Sequence, residues 1–142
     1  MDECVFCKIR DGQIPSMKIY EDASTLAFMD INPLNPGHCL VVTKQHASTL
    51  FTSDDDDLRA AIVAAKRVAN ALTVAVKPDG LNMLQANGAA AFQSVPHFHL
   101  HLIPRFTNDG KGFDWALAPG DRAQIMSVGE KLRAALGGSA KA

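Results

Sequence analysis

"SVPHFHLHLIPR", residues 94–105, places histidine at every second position: His97, His99 and His101, with Phe98, Leu100 and Leu102 between and after them. In an extended strand, successive side chains point to opposite faces. The alternation therefore puts three imidazoles on one face and three apolar side chains on the other. On a helix the same spacing would scatter the imidazoles around the axis. The stretch reads as a strand whose apolar face packs on a core and whose other face is free for polar chemistry. Pro96 at its head suits a first strand position but not the middle of a sheet. At about 3.3 Å rise per residue, neighbouring histidines lie about 6.6 Å apart along the strand, and the outer pair about twice that.

Working outward, "LNMLQAN" (81–87) reads as a strand, joined to the histidine strand by the small-residue loop "GAAAFQS". Upstream, Leu58, Ile62, Ala65, Ala69, Leu72 and Val76 recur at three- and four-residue spacing, the stripe of one long amphipathic helix. Ser53 is its expected N-cap, and Asp54 to Asp57 sit where the helix dipole favours negative charge. That placement accounts for the four aspartates without a divalent cation. "KPDG" (77–80) ends the helix. Earlier, "HCLVVTKQH" (38–46) reads as a buried strand, "NPLNPG" (32–37) as a turn-rich loop, and "MKIYED" with "STLAFMDI" as a hairpin broken at Asp22. Residues 1–15 form a short helical or turn segment. Ile125, Val128, Leu132 and Leu136 mark a terminal helix closed by Gly137-Gly138. No linker divides the chain, so the expectation is one α+β domain over residues 1–142.

The 142 residues suffice for one sizeable core. A formal net charge of -1 gives no footprint for a nucleic-acid polymer. No apolar run approaches the ~20 residues that span a bilayer. The acidic start Met1-Asp2-Glu3 is unlike a secretory signal, and three cysteines do not make a disulfide framework. The expected setting is the cytoplasm. Cys39, inside an apolar strand, reads as a small buried hydrophobe.

Three chemistries fit the histidine row: a polar strand face with no further role, a metal site, or nucleophilic catalysis by one imidazole flanked by two that orient it. One zinc cannot take the outer two histidines of a straight strand, because its nitrogens must lie at about 2.0–2.1 Å. Cys4, Cys7 and His46 offer further ligands, and a Cys-x-x-Cys pair with two histidines is an accepted structural zinc set. Such a set uses one end of the row and leaves two histidines for chemistry. A neutral imidazole suits attack on phosphorus, provided its other ring nitrogen donates to an acceptor that fixes the tautomer.

His97-Phe98-His99-Leu100-His101-Leu102-Ile103 resembles the signature of the histidine-triad (HIT) family. "CVFCKI", "LAFMDINPLNPGH", "KQH", "LNMLQANG" and "QSVPHFHLHLIPR" follow in that family's order over most of residues 4–105, leaving 106–142 as a C-terminal loop and helix. The resemblance implies a HIT-like fold: a five-stranded antiparallel sheet, one long and one C-terminal helix, and a homodimer formed through sheet and helix. It implies a hydrolase or transferase acting on purine nucleoside phosphoramidates, or on dinucleoside polyphosphates, through a nucleotidyl-histidine intermediate. The alternative is a nucleotide-binding or scaffold module without catalysis.

By the same resemblance His99 is the nucleophile, His101 the donor to phosphate oxygens and His38 the support of the cluster. Asn87, Gln93 and Ser94 meet the phosphates or the leaving group, and Asp30 holds the ribose hydroxyls. Val5, Phe6, Ile9, Phe28 and Ile31 form the purine pocket, although core packing alone would explain several of them. Cys4, Cys7, His46 and His97 match the structural zinc site of the bacterial, HINT-like branch. Phe92 stands where the family commonly has glycine, and Pro96 where it has a bulky residue. Trp115 does not match the Trp-Pro ending of that branch.

Overall fold

A computed structural model describes residues 3–113 and 116–137. The chain separates into two units, Met1–Lys111 and Gly112–Ala142. In the first, helix α1 (Val5–Arg10) precedes the antiparallel hairpin of β1 (Lys18–Glu21) and β2 (Thr25–Met29). The Asp22 carboxylate makes the turn, accepting from the backbone N–H groups of Ser24 and Thr25 at 2.9 and 2.8 Å. Strand β3 (Cys39–Thr43) pairs with β2, and helix α2 (Asp55–Ala75) follows. Strands β4 (Gly80–Leu84) and β5 (His99–Arg105) complete an antiparallel sheet in the order β1-β2-β3-β5-β4.

The central strands β2, β3 and β5 bury both faces, and strand alternation sorts their residues. Ala27, Cys39, Val41, Leu100 and Leu102 face α2, together with Phe98. Leu26, Phe28, Leu40 and Val42 face α1 and pack on Cys4, Phe6 and Cys7. In the register, Leu40 lies opposite His101 and Val42 opposite His99, so the two imidazoles belong to the α1 face. As the alternation requires, Phe98, Leu100 and Leu102 supply the other core.

Several sequence expectations shift. The histidine strand starts at His99 rather than near residue 96, because Val95 O accepts from the His97 N–H (2.8 Å) and Ala47 O from the Phe98 N–H (2.7 Å). Those bonds divert residues 95–98 from the ladder. Helix α2 is capped by Asp54, not Ser53: the Ser53 hydroxyl donates back to Thr49 O at 2.7 Å, at the end of a 3-10 turn over Leu50–Thr52. The buried stripe of α2 is Ala61, Ala64, Ala65, Val68 and Leu72. Ile62 is 47% exposed and Ala69 half-buried, because the small alanines take the positions that meet the sheet. Pro104 lies in β5 beyond the part paired with β3, which ends at Leu102.

In the second unit, α3 (Arg122–Ala135) is capped by the Asp121 carboxylate, which accepts from the Ala123 N–H at 3.2 Å. Its expected apolar stripe, Ile125, Val128, Leu132 and Leu136, is exposed. Gly137, with φ 68°, follows the helix; Gly138 and Trp115 lie outside the described residues.

Candidate functional site

His99 is buried, and its Nδ1 lies 2.7 Å from the carbonyl oxygen of His97. A carbonyl only accepts, so Nδ1 carries the proton and the Nε2 lone pair is left free. A second chain of bonds fixes the opposite tautomer nearby. The backbone N–H of Leu34 donates to His38 Nδ1 at 2.9 Å, so His38 carries its proton on Nε2. That Nε2 lies 3.0 Å from His101 Nδ1 and 3.3 Å from the Asp30 carboxylate. His101 Nδ1 therefore accepts, and His101 holds its own proton on Nε2. The rings of His99 and His101 sit 4.9 Å apart. One imidazole offers a lone pair and its neighbour an N–H.

Burial pushes the pKa of His99 below the ordinary histidine value, partly opposed by the His97 carbonyl and Asp30. It pushes His101 down to about 4, helped by His99 and His38 and opposed by Asp30. His38 is lowered by burial and raised by Asp30. All three are thus neutral near pH 7. Asp30, His38 and His101 place ligand-type atoms within 4.8 Å of one another. A cation there would need a lone pair at His38 Nε2, and the Leu34 N–H has already fixed the proton on that nitrogen. The trio is a hydrogen-bond relay.

The His99 and His101 imidazoles both open on a cavity of about 310 Å³. Val5, Phe6 and Ile9 of α1 wall one side, Phe28, Ile31 and Leu40 line it further, and Asp30, Ser94, His99 and His101 are among its polar groups. Phe6 braces the site, with its ring edge-on to Phe28 at 5.5 Å and to His99 at 5.0 Å. Ile31 lines this cavity at its surface, 90% exposed. A larger depression of about 450 Å³ beside Arg10 and Lys44 is polar. Its cations are already paired, Arg10 with Asp11 and Lys44 with Glu21.

At the other end of the row, Cys4, Cys7, His46 and His97 gather their ligand atoms within 4.8 Å. His97 Nδ1 lies 3.3 Å from Cys4 Sγ, 3.6 Å from Cys7 Sγ and 3.1 Å from His46 Nδ1, and Cys7 Sγ lies 3.4 Å from His46 Nδ1. A tetrahedral zinc with standard bond lengths requires about 3.3 Å between two nitrogens and about 3.5 Å between nitrogen and sulfur. The set fits. His97 Nε2 donates to Thr43 O at 2.6 Å, which leaves Nδ1 unprotonated and aims it into the cluster, the usual support of a metal-bound imidazole. Burial and Cys4 push the Cys7 thiol up, so a cation would displace protons on binding.

Other expected residues lie further out. Asn87 and Gln93 are not among the residues lining the cavity. Asn87 Oδ1 accepts from the Leu50 N–H at 2.7 Å, and its amide pairs with Gln85. Gln93 binds Gly88 N through Oε1, and donates to Ser48 O and Val95 O. Both side chains build the loop that presents Ser94. Phe92 takes the left-handed conformation, φ 64°, and its ring points out, 91% exposed. Cys39 is buried, its thiol pushed up to about 11 by burial. Sequence reasoning missed the Leu34 N–H and the carbonyls of Thr43 and His97, since backbone donors and acceptors leave no mark in residue type.

Comparison with known proteins extends this geometry. The HIT domain model matches residues 11–108. An adenosine 5′-monophosphoramidase of Schizosaccharomyces pombe is 38% identical over 130 residues, covering 91% of this chain and 95% of that one. The crystal structure of a HIT-family protein from Bacillus subtilis superposes with a TM-score of 0.85 at 37% identity, over 92% of this chain and 94% of that one. A zinc-bound histidine triad protein from Mycobacterium smegmatis gives 0.75 at 33% identity, over 94% and 98%.

Proposed function

Because the chain belongs to the HIT domain family, we propose that it hydrolyses purine nucleoside phosphoramidates, or related nucleotide conjugates, through a covalent intermediate on His99. The observation that carries this reading is the pair of opposed tautomers: a free lone pair on His99 Nε2 beside an N–H on His101, at one cavity with Asp30. In this mechanism the base lies between Phe6, Phe28 and the aliphatic walls, and Asp30 accepts from the ribose hydroxyls. His99 Nε2 attacks the α-phosphorus. The new N–P bond replaces the bond to the leaving amine, which departs protonated by way of the Ser94 hydroxyl. His101 Nε2–H donates a hydrogen bond to a phosphate oxygen where charge accumulates and keeps its proton throughout. Water then attacks phosphorus and returns a proton to the Ser94 oxygen as the His99–phosphorus bond breaks, and the monophosphate leaves with His99 neutral again. Nucleoside phosphoramidate and water give nucleotide and amine.

The Cys4, Cys7, His46 and His97 set would hold a structural zinc. All four positions are filled by protein, so it offers no vacancy to substrate. The edge strand β4, with Leu81, Met83 and Leu84 exposed, is where a second copy would extend the sheet into a homodimer.

The test incubates adenosine 5′-phosphoramidate with the wild-type protein and with His99→Asn, in EDTA, and follows AMP. Release by wild type alone supports the reading. AMP binding without release by either protein refutes it in favour of a binding module.

A further inference from the structure

Outside the cavity, a dense polar cluster centres on Asp109. Its Oδ2 accepts from Arg105 Nε (2.9 Å), Asn35 Nδ2 (2.9 Å) and the Phe106 N–H (3.1 Å). Its Oδ1 accepts from a second Arg105 nitrogen (3.0 Å) and the Lys111 N–H (2.9 Å). These donors, Arg105 first, hold its carboxyl well below the usual carboxylate range. Arg105 is itself bound to Asn82 on β4 at 2.8 Å. The cluster is therefore anchored to the sheet.

The arm that leaves this cluster is Asn35. It is buried, and its Nδ2 donates both to Asp109 and to Pro104 O at 3.0 Å. Its own carbonyl accepts from the His38 N–H at 3.1 Å, closing the turn that contains Gly37. Gly37 has φ 93°, and a Cβ there would lie 2.9 Å from Pro104 Cγ, so the turn presses directly on β5. The residue before Asn35 is Leu34, whose N–H fixes the proton of His38. A donor is useful for that purpose only if its position is fixed. The side chain of Asn35 pins the turn to β5 and to Asp109.

We propose that Asn35, held by Asp109, is a positioning residue that, together with the Asp30 carboxylate on the other ring nitrogen, sets the tautomer of His38 and, through it, that of His101. This rests on the proposed hydrolase only for its catalytic consequence; the tautomers themselves can be read without turnover. A loosened turn withdraws the Leu34 N–H, and His38 can then place its proton on Nδ1. His38 would offer a lone pair to His101, and His101 would turn its own proton away from the cavity.

Two-bond proton–nitrogen NMR of the histidine side chains, recorded on the full chain at neutral pH, tests this. In wild type, His38 and His101 should give the Nε2–H pattern and His99 the Nδ1–H pattern. In Asn35→Ala, or in the milder Asn35→Ser should the alanine variant fail to fold, His38 and His101 should both gain Nδ1–H character while His99 stays unchanged. On adenosine 5′-phosphoramidate, kcat should fall about tenfold with KM little altered. Folded variants that keep the wild-type tautomer pattern and lose only thermal stability would overturn the proposal. A wild type without turnover would refute the hydrolase and leave the NMR result to decide the role of Asn35.

Discussion

His97 and His101 stand at the two ends of one histidine row on the same side of the sheet, and their surroundings divide their chemistry. His97 is fully buried, donates to a backbone carbonyl, and aims its remaining lone pair at two sulfurs and another imidazole. His101 accepts from His38 and keeps its N–H beside the cavity. Both are pushed down to about 4 by burial first. Equal residue type and equal spacing thus give a metal-ligand geometry at one end, where the ring is fully buried, and an N–H donor at the other, where it reaches the cavity. What separates them is the hydrogen-bond partner of one ring nitrogen. His99, between them, takes its partner from the backbone of His97, so the cysteine end of the row orients the His99 ring.

The largest effect expected lies between the two ends. His99→Asn should lower the turnover of adenosine 5′-phosphoramidate at least about a thousandfold, with AMP affinity nearly unchanged by calorimetry. A smaller loss would mean the row does not contain the nucleophile. At the metal end, Cys7→Ser should remove zinc, measured by elemental analysis, and lower the melting temperature by about 10 °C or more. EDTA added to the folded protein should leave the initial rate intact. An immediate loss of rate would erase the distinction between the ends. At the relay end, His38→Phe should cut kcat about a hundredfold while zinc content and melting temperature hold.

The smallest effect concerns pH. Protonating His99 removes the attacking lone pair, so kcat/KM falls as pH falls. Because burial lowers the His99 pKa, that acid limb should lie below the ordinary histidine value. Asp30 opposes the lowering, so Asp30→Asn should move the limb further down. Stability follows the same sign at His101. Between the model-peptide value and about 4 the unfolded chain binds more protons than the folded one, so stability is lost as pH falls through that window. Melting curves across it would check the direction.

The histidine row was legible because a two-residue period has one simple structural meaning, and the Cys-x-x-Cys pair because its spacing suits a shared ligand. Along α2, Leu58, Ala65, Leu72 and Val76 meet the core as the spacing predicts, while Ile62 and Ala69 turn away: periodicity weighs Ile62 above Ala61 and Ala64, whereas packing against the sheet prefers the small side chain. The N-cap moved because Ser53 had another partner in Thr49. The relay was invisible beyond its histidines, since one of its donors is the Leu34 N–H. Asn35 and Asp109 meet across 74 residues, and neither belongs to a motif that names the other.

The cysteine cluster also bears on how the chain is made. Cys7 and His97 are separated by 90 residues, and all the other ligands precede His97. At about 5–20 residues per second, a ribosome would need roughly 5–20 s to travel from one to the other. From His46 onward the nascent chain carries the two ligand thiols and one imidazole with the fourth ligand still unsynthesised. Zinc held by all four groups would therefore be captured late in biosynthesis, although two of its ligands precede all five strands of the sheet.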